Sequence, residues 1–102
     1  MWVINQDRDL TINLDMVQSI DIQKVRYNSE TKSYYYVFNE EYEAAIIEAP
    51  VGGKDEGTYT LGVYESEEYA KEIFMSLMIS KRRNDMDFMM PPFSKDNDKS
   101  PT

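Results

Sequence analysis

The chain has 102 residues, a length that suits one domain with one modest hydrophobic core. It contains no histidine and no cysteine, which excludes Ser-His-Asp and Cys-His catalytic sites, disulfides and typical zinc sites. The net charge is −8, and residues 30–80 hold eleven acidic against three basic side chains, which argues against direct nucleic-acid binding. No apolar run approaches the ~20 residues that span a bilayer, and the N-terminus lacks signal-peptide features. We therefore expect a cytoplasmic protein without membrane contact.

Six short segments ahead of residue 65 have the alternation, or the aromatic and β-branched content, that is typical of strands. They are Trp2–Ile4, Leu10–Leu14, Ser19–Tyr27, Tyr34–Phe38, Tyr42–Ala49 and Thr58–Tyr64. Polar loops separate them, and the clearest are Asn28–Lys32 and Pro50–Gly57. The segment Glu40–Ala49 could also form a helix, but the alternation of short predicted strands and polar loops on both sides of it favours a strand.

The phase of the apolar residues predicts how two of these strands pack. In Ser19–Tyr27 the apolar residues change phase halfway along the strand, which predicts a bulge near Gln23-Lys24. In Thr58–Tyr64 the phase is constant, which predicts that Leu61 and Val63 share one face with Tyr59.

An amphipathic helix is predicted after the last of these strands. Ser66 is a good N-cap, acidic residues follow it, and Lys81-Arg82-Arg83 ends the helix with the charge that its dipole favours. One apolar face is formed by Ala70, Ile73, Phe74, Leu77 and Met78. Strands first and a helix last predict an α+β fold, with an antiparallel sheet of about six short strands and the C-terminal helix packed on it. We expect residues 1–93 to form a single domain and residues 94–102 to be a polar, flexible tail.

No residue spacing in the chain indicates a catalytic, cofactor-binding or metal site. Carboxylate pairs such as Asp85 with Asp87 lie in polar neighbourhoods, where solvated charge is expected and no burial separates their pKa values. Asp96-Asn97-Asp98 lacks the glycine and distal glutamate of a calcium loop. Gly52-Gly53-Lys54 lacks the earlier glycine of a phosphate-binding loop. We therefore expect a non-enzymatic protein with no cofactor and no metal.

Tyrosine is the unusual signal, since the chain contains eight. The run Tyr34-Tyr35-Tyr36 must send rings to both faces of its strand. These rings either pack on the core and cover the sheet, or form an exposed patch of the kind enriched at protein interfaces. Because acidic residues follow, we predict a partner-binding surface made of Tyr34, Tyr35, Tyr36, Glu40, Glu41 and Tyr42. The expected partner is a protein, and a basic one would suit this surface.

An apolar run follows the predicted helix and contains Met86, Phe88, Met89, Met90 and Phe93. It must either fold back onto the sheet or be covered by a partner. A second copy of the chain would serve as that partner, so these five residues are a predicted contact of a homo-oligomer.

Short pieces spread over much of the chain carry a resemblance to known proteins. They are Met1-Trp2-Val3-Ile4-Asn5-Gln6, Asn13-Leu14-Asp15, Leu61-Gly62-Val63-Tyr64 leading into Ser66–Ala70, and Met90-Pro91. In these pieces the chain resembles small uncharacterised proteins of Gram-positive bacteria and their phages. The strand order is similar to that of a pleckstrin-homology-like domain, which implies a sheet closed by a C-terminal helix. The resemblance implies no residue roles.

Two functions are consistent with these patterns. The first is a small, acidic, non-enzymatic module that binds a protein partner or has a structural role. The alternative is a phage-type inhibitor that mimics nucleic acid, for example of a CRISPR nuclease. Such an inhibitor would present carboxylates where phosphates would lie in a basic groove.

Overall fold

The computed structural model describes residues 1–17, 19–37, 44–51 and 57–94. Within these ranges the chain forms seven strands and one α-helix. They are β1 (Trp2–Ile4), β2 (Thr11–Asn13), β3 (Asp21–Asn28), β4 (Ser33–Tyr36), β5 (Ala45–Val51), β6 (Gly57–Tyr64), α1 (Glu67–Arg82) and β7 (Asp87–Met89), with a 3-10 turn at Leu14–Met16. The predicted α+β class is confirmed. The prediction of about six strands in a single sheet is wrong, because seven strands divide between two sheets.

The first sheet has three strands in the order β2-β1-β7. β1 is antiparallel to β2 and parallel to β7, the strand that was not predicted. Backbone hydrogen bonds flank the parallel pair, from the Trp2 N–H to the Met86 carbonyl at 3.0 Å and from the Met90 N–H to the Ile4 carbonyl at 2.9 Å. The segment after the helix therefore folds back onto the start of the chain, and this accounts for the extra strand.

The second sheet has four antiparallel strands in the order β4-β3-β5-β6. A large apolar cluster joins the buried residues of α1 to both sheets, and it includes Val3, Ile47, Ala70, Ile73 and Leu77. The helix begins after Ser66, whose hydroxyl accepts a 3.1 Å hydrogen bond from the Tyr69 N–H. The predicted helix and its N-cap are therefore confirmed. Of its predicted apolar face, Ala70, Ile73 and Leu77 are buried in this cluster and Met78 packs against it, whereas Phe74 is only half-buried and lies outside it.

Val25, Ile46 and Val63 form a second, smaller apolar cluster. This cluster explains the apolar pattern of β3 without a bulge. The register of β3 against β5 is continuous over residues 21–24. Ile22 packs against the large cluster and Val25 belongs to the small one. The bulge predicted near Gln23-Lys24 is therefore wrong, because the change of phase reflects apolar contacts on both faces of the strand.

The register irregularity lies instead between β5 and β6, at Ile47 and Glu48. On β6, Leu61 packs in the large cluster whereas Val63 packs in the small one. The prediction that Leu61 and Val63 share one face is therefore wrong, because the extra residue at the irregularity changes the phase of the strand.

Two predicted loops differ in how far the structure describes them. The loop predicted at Pro50–Gly57 begins within β5, which extends to Val51, and ends at the first residue of β6; residues 52–56 lie outside the described residues. The predicted tail is described at Ser94 alone. In the described part of the chain, no helix combines the length and the apolar composition needed to cross a membrane.

Candidate protein-binding surface

The hairpin of β3 and β4 positions the predicted tyrosine surface. Side-chain capping fixes its loop, since the Asn28 Oδ1 accepts hydrogen bonds from the N–H groups of Glu30 at 2.9 Å and Thr31 at 3.3 Å. Lys32 has a φ of 56° and completes the turn. Asn28 pairs with Ser33 across the hairpin, which confirms the loop predicted between the two strands and sets the register of β4.

The three tyrosines of β4 divide between the two faces of the strand, as predicted. The rings of Tyr34 and Tyr36 meet edge to face, with centroids 5.6 Å apart and planes at 88°. Tyr35 points the other way, because side chains alternate along a strand. It pairs in register with Arg26 and is largely exposed.

Tyr36 is held by a hydrogen bond to a carboxylate on β5. Its hydroxyl donates to the Glu48 Oε2 at 2.6 Å. Glu48 is only 6% exposed, whereas Tyr36 is 48% exposed. The bond to Glu48 is the main cause that raises the pKa of Tyr36 above its ordinary value, and burial adds to it. The phenol therefore remains a neutral hydrogen-bond donor at physiological pH, and its ring presents a fixed aromatic surface to solvent.

A second carboxylate belongs to the same region of the sheet. Asp21 on β3 is the register partner of Glu48 on β5. Like charges directly opposite each other in a sheet repel, and the hydrogen bond from Tyr36 offsets part of that cost at Glu48. Neither acid was singled out from the sequence, because an isolated acidic residue in a strand gives no local sign of its partner.

A comparison with protein-family models, with curated proteins and with solved structures finds no match for this chain. The resemblance to small proteins of Gram-positive bacteria and their phages therefore stays a prediction.

The chemical groups of this region have two properties that bear on its function. Among the described residues, no group of three or more acidic side chains lies close enough to hold a metal ion. A phenol with a raised pKa is a poor proton donor at neutral pH. What Tyr36 and Glu48 offer instead is an oriented aromatic ring beside a carboxylate, a combination that suits contact with a basic side chain.

The remaining residues of the predicted surface are Glu40, Glu41 and Tyr42, and they lie outside the described residues. Among the described residues the surface therefore consists of Tyr34 and Tyr36, which share one face of β4, and of Glu48.

The five apolar residues after the helix do not share one environment. Met90 is buried in the large cluster, and Phe88 packs against it. The ring of Phe93 stacks on that of Tyr27, with centroids 5.5 Å apart. Met86 and Met89 are exposed. Contacts within the chain therefore occupy three of the five, and two remain open to a partner.

Proposed function

We propose that this protein is a non-enzymatic module that binds a protein partner through the β4 surface, defined as Tyr34, Tyr36 and Glu48. The observation that carries the proposal is the hydrogen bond from the Tyr36 hydroxyl to the Glu48 carboxylate at 2.6 Å. It fixes a half-exposed aromatic side chain beside a negative charge.

This hydrogen bond favours binding because it orders the side chain before a partner arrives. Immobilising a free side chain at an interface costs about 0.5–1.5 kcal/mol. Tyr36 is already restrained, by Glu48 at one end and by the ring of Tyr34 along its side. Tyrosine is also enriched at protein interfaces, since it offers a large contact area with little conformational freedom.

The charge of the chain favours a basic partner. The net charge is −8, and the segment of residues 30–80, which contains β4 and β5, has an excess of eight acidic side chains. An arginine of the partner could stack on the Tyr36 ring and approach the carboxylate of Asp21, which is less buried than that of Glu48. Long-range attraction would also speed the encounter at low salt.

The alternative, an inhibitor that mimics nucleic acid, rests on the same acidic middle. Its carboxylates would have to be free to replace phosphates in a basic groove. Two acids of this segment are already engaged within the chain, since Glu67 lies 3.4 Å from the Lys71 ammonium and Glu48 accepts the hydrogen bond from the Tyr36 hydroxyl. The β4 surface therefore has the stronger support of the two.

The test compares partners captured by the wild type, by Tyr36→Ser and by Tyr59→Ser. Tyr59 is also exposed, but it lies on β6 and outside the β4 surface, so its variant is the matched control. A protein retained by the wild type and by Tyr59→Ser but lost by Tyr36→Ser would then be purified. Its affinity would be measured by calorimetry at low and high salt.

Loss of at least tenfold in affinity with Tyr36→Ser, and little change with Tyr59→Ser, is the expected result. Equal affinity of all three proteins for the same partner would refute the β4 surface as the binding site. A partner that is itself a nucleic-acid enzyme, with an affinity that collapses at high salt, would favour the mimic instead.

A further inference from the structure

The solvent side of helix α1 carries two large apolar side chains. The helix buries Ala70, Ile73 and Leu77 against the large cluster. Because successive residues of a helix turn by about 100°, Met75 and Ile79 lie on the opposite side, one turn apart. Met75 is 57% exposed and Ile79 is 48% exposed. These two side chains therefore form a small apolar surface that no part of the described chain covers.

A charged residue lies at the same distance on each side of Met75. Glu68 precedes it by seven positions and Arg82 follows it by seven. Seven residues make nearly two complete turns, so the three side chains lie along one line of the helix, with about 10 Å of rise between neighbours. Both Glu68 and Arg82 are exposed. The surface made of Glu68, Met75, Ile79 and Arg82 is called the outer helix face.

The two charges of the outer helix face are available to a partner. Among the described residues, neither Glu68 nor Arg82 forms an ion pair. The paired charges of the helix lie beside this line and include Glu67 and Lys71, which are 3.4 Å apart. The helix dipole favours an acid at the start and a base at the end, but it does not account for the exposed apolar side chains between them.

The outer helix face is complementary to a second copy of itself when the two helices run in opposite directions. A two-fold axis at Met75 would place Glu68 of each copy opposite Arg82 of the other, because both lie seven residues from Met75. Parallel helices would instead bring Glu68 against Glu68, and like charges in contact are unfavourable. The charge pattern therefore favours a second copy as the occupant, in the antiparallel direction.

The net charge of the chain opposes this contact less than its size suggests. Each copy has a net charge of −8, so two copies repel each other at long range. The helix itself is neutral, since residues 67–82 contain three acidic and three basic side chains. At physiological salt the Debye length is about 8 Å, so distant charges are screened more than charges in contact. The repulsion is therefore weakened more than the pairing at the helix.

We propose that the outer helix face binds a second copy of this chain in an antiparallel two-fold contact. Met75 and Ile79 lie at its centre, and Glu68 pairs with Arg82 at both ends. The contact is independent of the β4 surface, because Tyr34 packs against the small cluster whereas α1 packs on the large one. Two apolar side chains per copy make a small interface, so the dimer is weak, with a dissociation constant of about 10 µM to about 1 mM.

The test reverses the two charges, separately and together. Sedimentation equilibrium would be measured on the full chain at about 0.15 M salt, from about 1 µM to about 1 mM protein. Glu68→Arg and Arg82→Glu each place like charges opposite each other. The double variant restores opposite charges at both ends, and so does an equal mixture of the two single variants.

A second pair of variants tests the apolar centre. Met75→Glu places two carboxylates at the two-fold axis, where they would repel each other. Met89→Glu is the matched control, since Met89 is also exposed but lies on β7 and outside the outer helix face.

The wild type should rise toward twice the monomer mass with increasing concentration. Each single reversal and Met75→Glu should weaken the association at least tenfold, whereas the double variant, the mixture and Met89→Glu should associate like the wild type. The helix dipole disfavours both reversals, so a mere loss of helix stability would make the double variant the weakest. That result would overturn the proposal, and so would a wild type that stays monomeric over the whole range.

Discussion

The side-chain amide of Gln6 contacts both backbone hydrogen-bonding groups of Val63, which lies 57 positions further along the chain. Its Nε2 donates to the Val63 carbonyl at 2.8 Å, and its Oε1 accepts from the Val63 N–H at 3.0 Å. The same Nε2 donates to the Pro91 carbonyl at 3.2 Å. Gln6 thus takes the place of a neighbouring strand at the edge of β6, and it ties the first sheet to the second.

Replacing Gln6 with alanine should destabilise the protein. The N–H and carbonyl of the buried Val63 would both lose their partner, and an unsatisfied buried group costs about 1–3 kcal/mol. We expect the free energy of unfolding in urea to fall by about 2–4 kcal/mol, with faster amide exchange at Val63. Gln23→Ala, at an exposed position on β3, is the control. Unchanged exchange at Val63 would contradict the bridging role of Gln6.

Replacing Tyr64 with phenylalanine should stabilise the protein. The Tyr64 hydroxyl is buried and has no hydrogen-bond partner among the described residues. Removing it relieves a desolvation penalty, so the free energy of unfolding should rise by about 1–2 kcal/mol. The neighbouring Tyr69 is a matched control, because its hydroxyl donates to the Pro92 carbonyl at 3.2 Å. Tyr69→Phe should be destabilising; two variants that shift stability in the same direction would contradict this assignment.

Replacing Gly62 with alanine should be destabilising for a steric reason. The ring of Tyr64 lies over Gly62, and a Cβ at that position would come within 2.7 Å of the Tyr64 Cζ. Since the ring is fully buried, it has little room to move, and overpacking of this kind costs about 1–3 kcal/mol. Thermal unfolding would measure the loss. Gly57→Ala, at the exposed start of β6, should change the melting temperature little. Equal effects of the two variants would argue against the overlap with Tyr64.

Stability should decline in alkaline solution. Burial raises the pKa of Tyr64, and the hydrogen bond to Glu48 raises that of Tyr36. Both phenols stay protonated in the folded state, whereas those of the unfolded chain ionise near pH ~10. Ionisation of these phenols therefore favours the unfolded chain: it does not affect stability below that pH, and it lowers stability progressively as the pH rises above it.

Unfolding free energies measured from pH ~8 to ~11 would show this decline. Tyr64 alone should contribute a slope of up to about 1.4 kcal/mol per pH unit above pH ~10. Tyr64→Phe should make the profile flatter, and an identical slope in that variant would show that other groups cause the decline.

Helix α1 could be predicted from the sequence because its signals are local. The N-cap at Ser66 and the spacing of Ala70, Ile73 and Leu77 are sufficient to specify both its start and its buried face. β7 could not be predicted in this way. Asp87–Met89 has only three residues, and its strand conformation depends on pairing with β1, a contact that no local pattern reveals.

The candidate surfaces could likewise be predicted from the sequence only where their signals are local. A run of three tyrosines predicts rings on both faces of a strand, and the structure confirms it. The bond from Tyr36 to Glu48 joins two strands that are not adjacent in the sheet, so its partner could not be named from spacing. The exposure of Trp2 could not be predicted either, because a strand of three residues is too short to show which side chains point inward.

The parallel pairing of β1 with β7 has a consequence for the order in which the protein folds. Residues 2–4 meet residues 87–89, so the chain between them must be closed into a very long loop before this ladder forms. Hairpins β3–β4 and β5–β6 need far shorter closures and can form early. During synthesis, β1 leaves the ribosome long before β7 has been made. Its apolar side chains therefore stay uncovered until the helix and β7 have been synthesised. The ladder between β1 and β7 is therefore expected to be the last strand pairing to form.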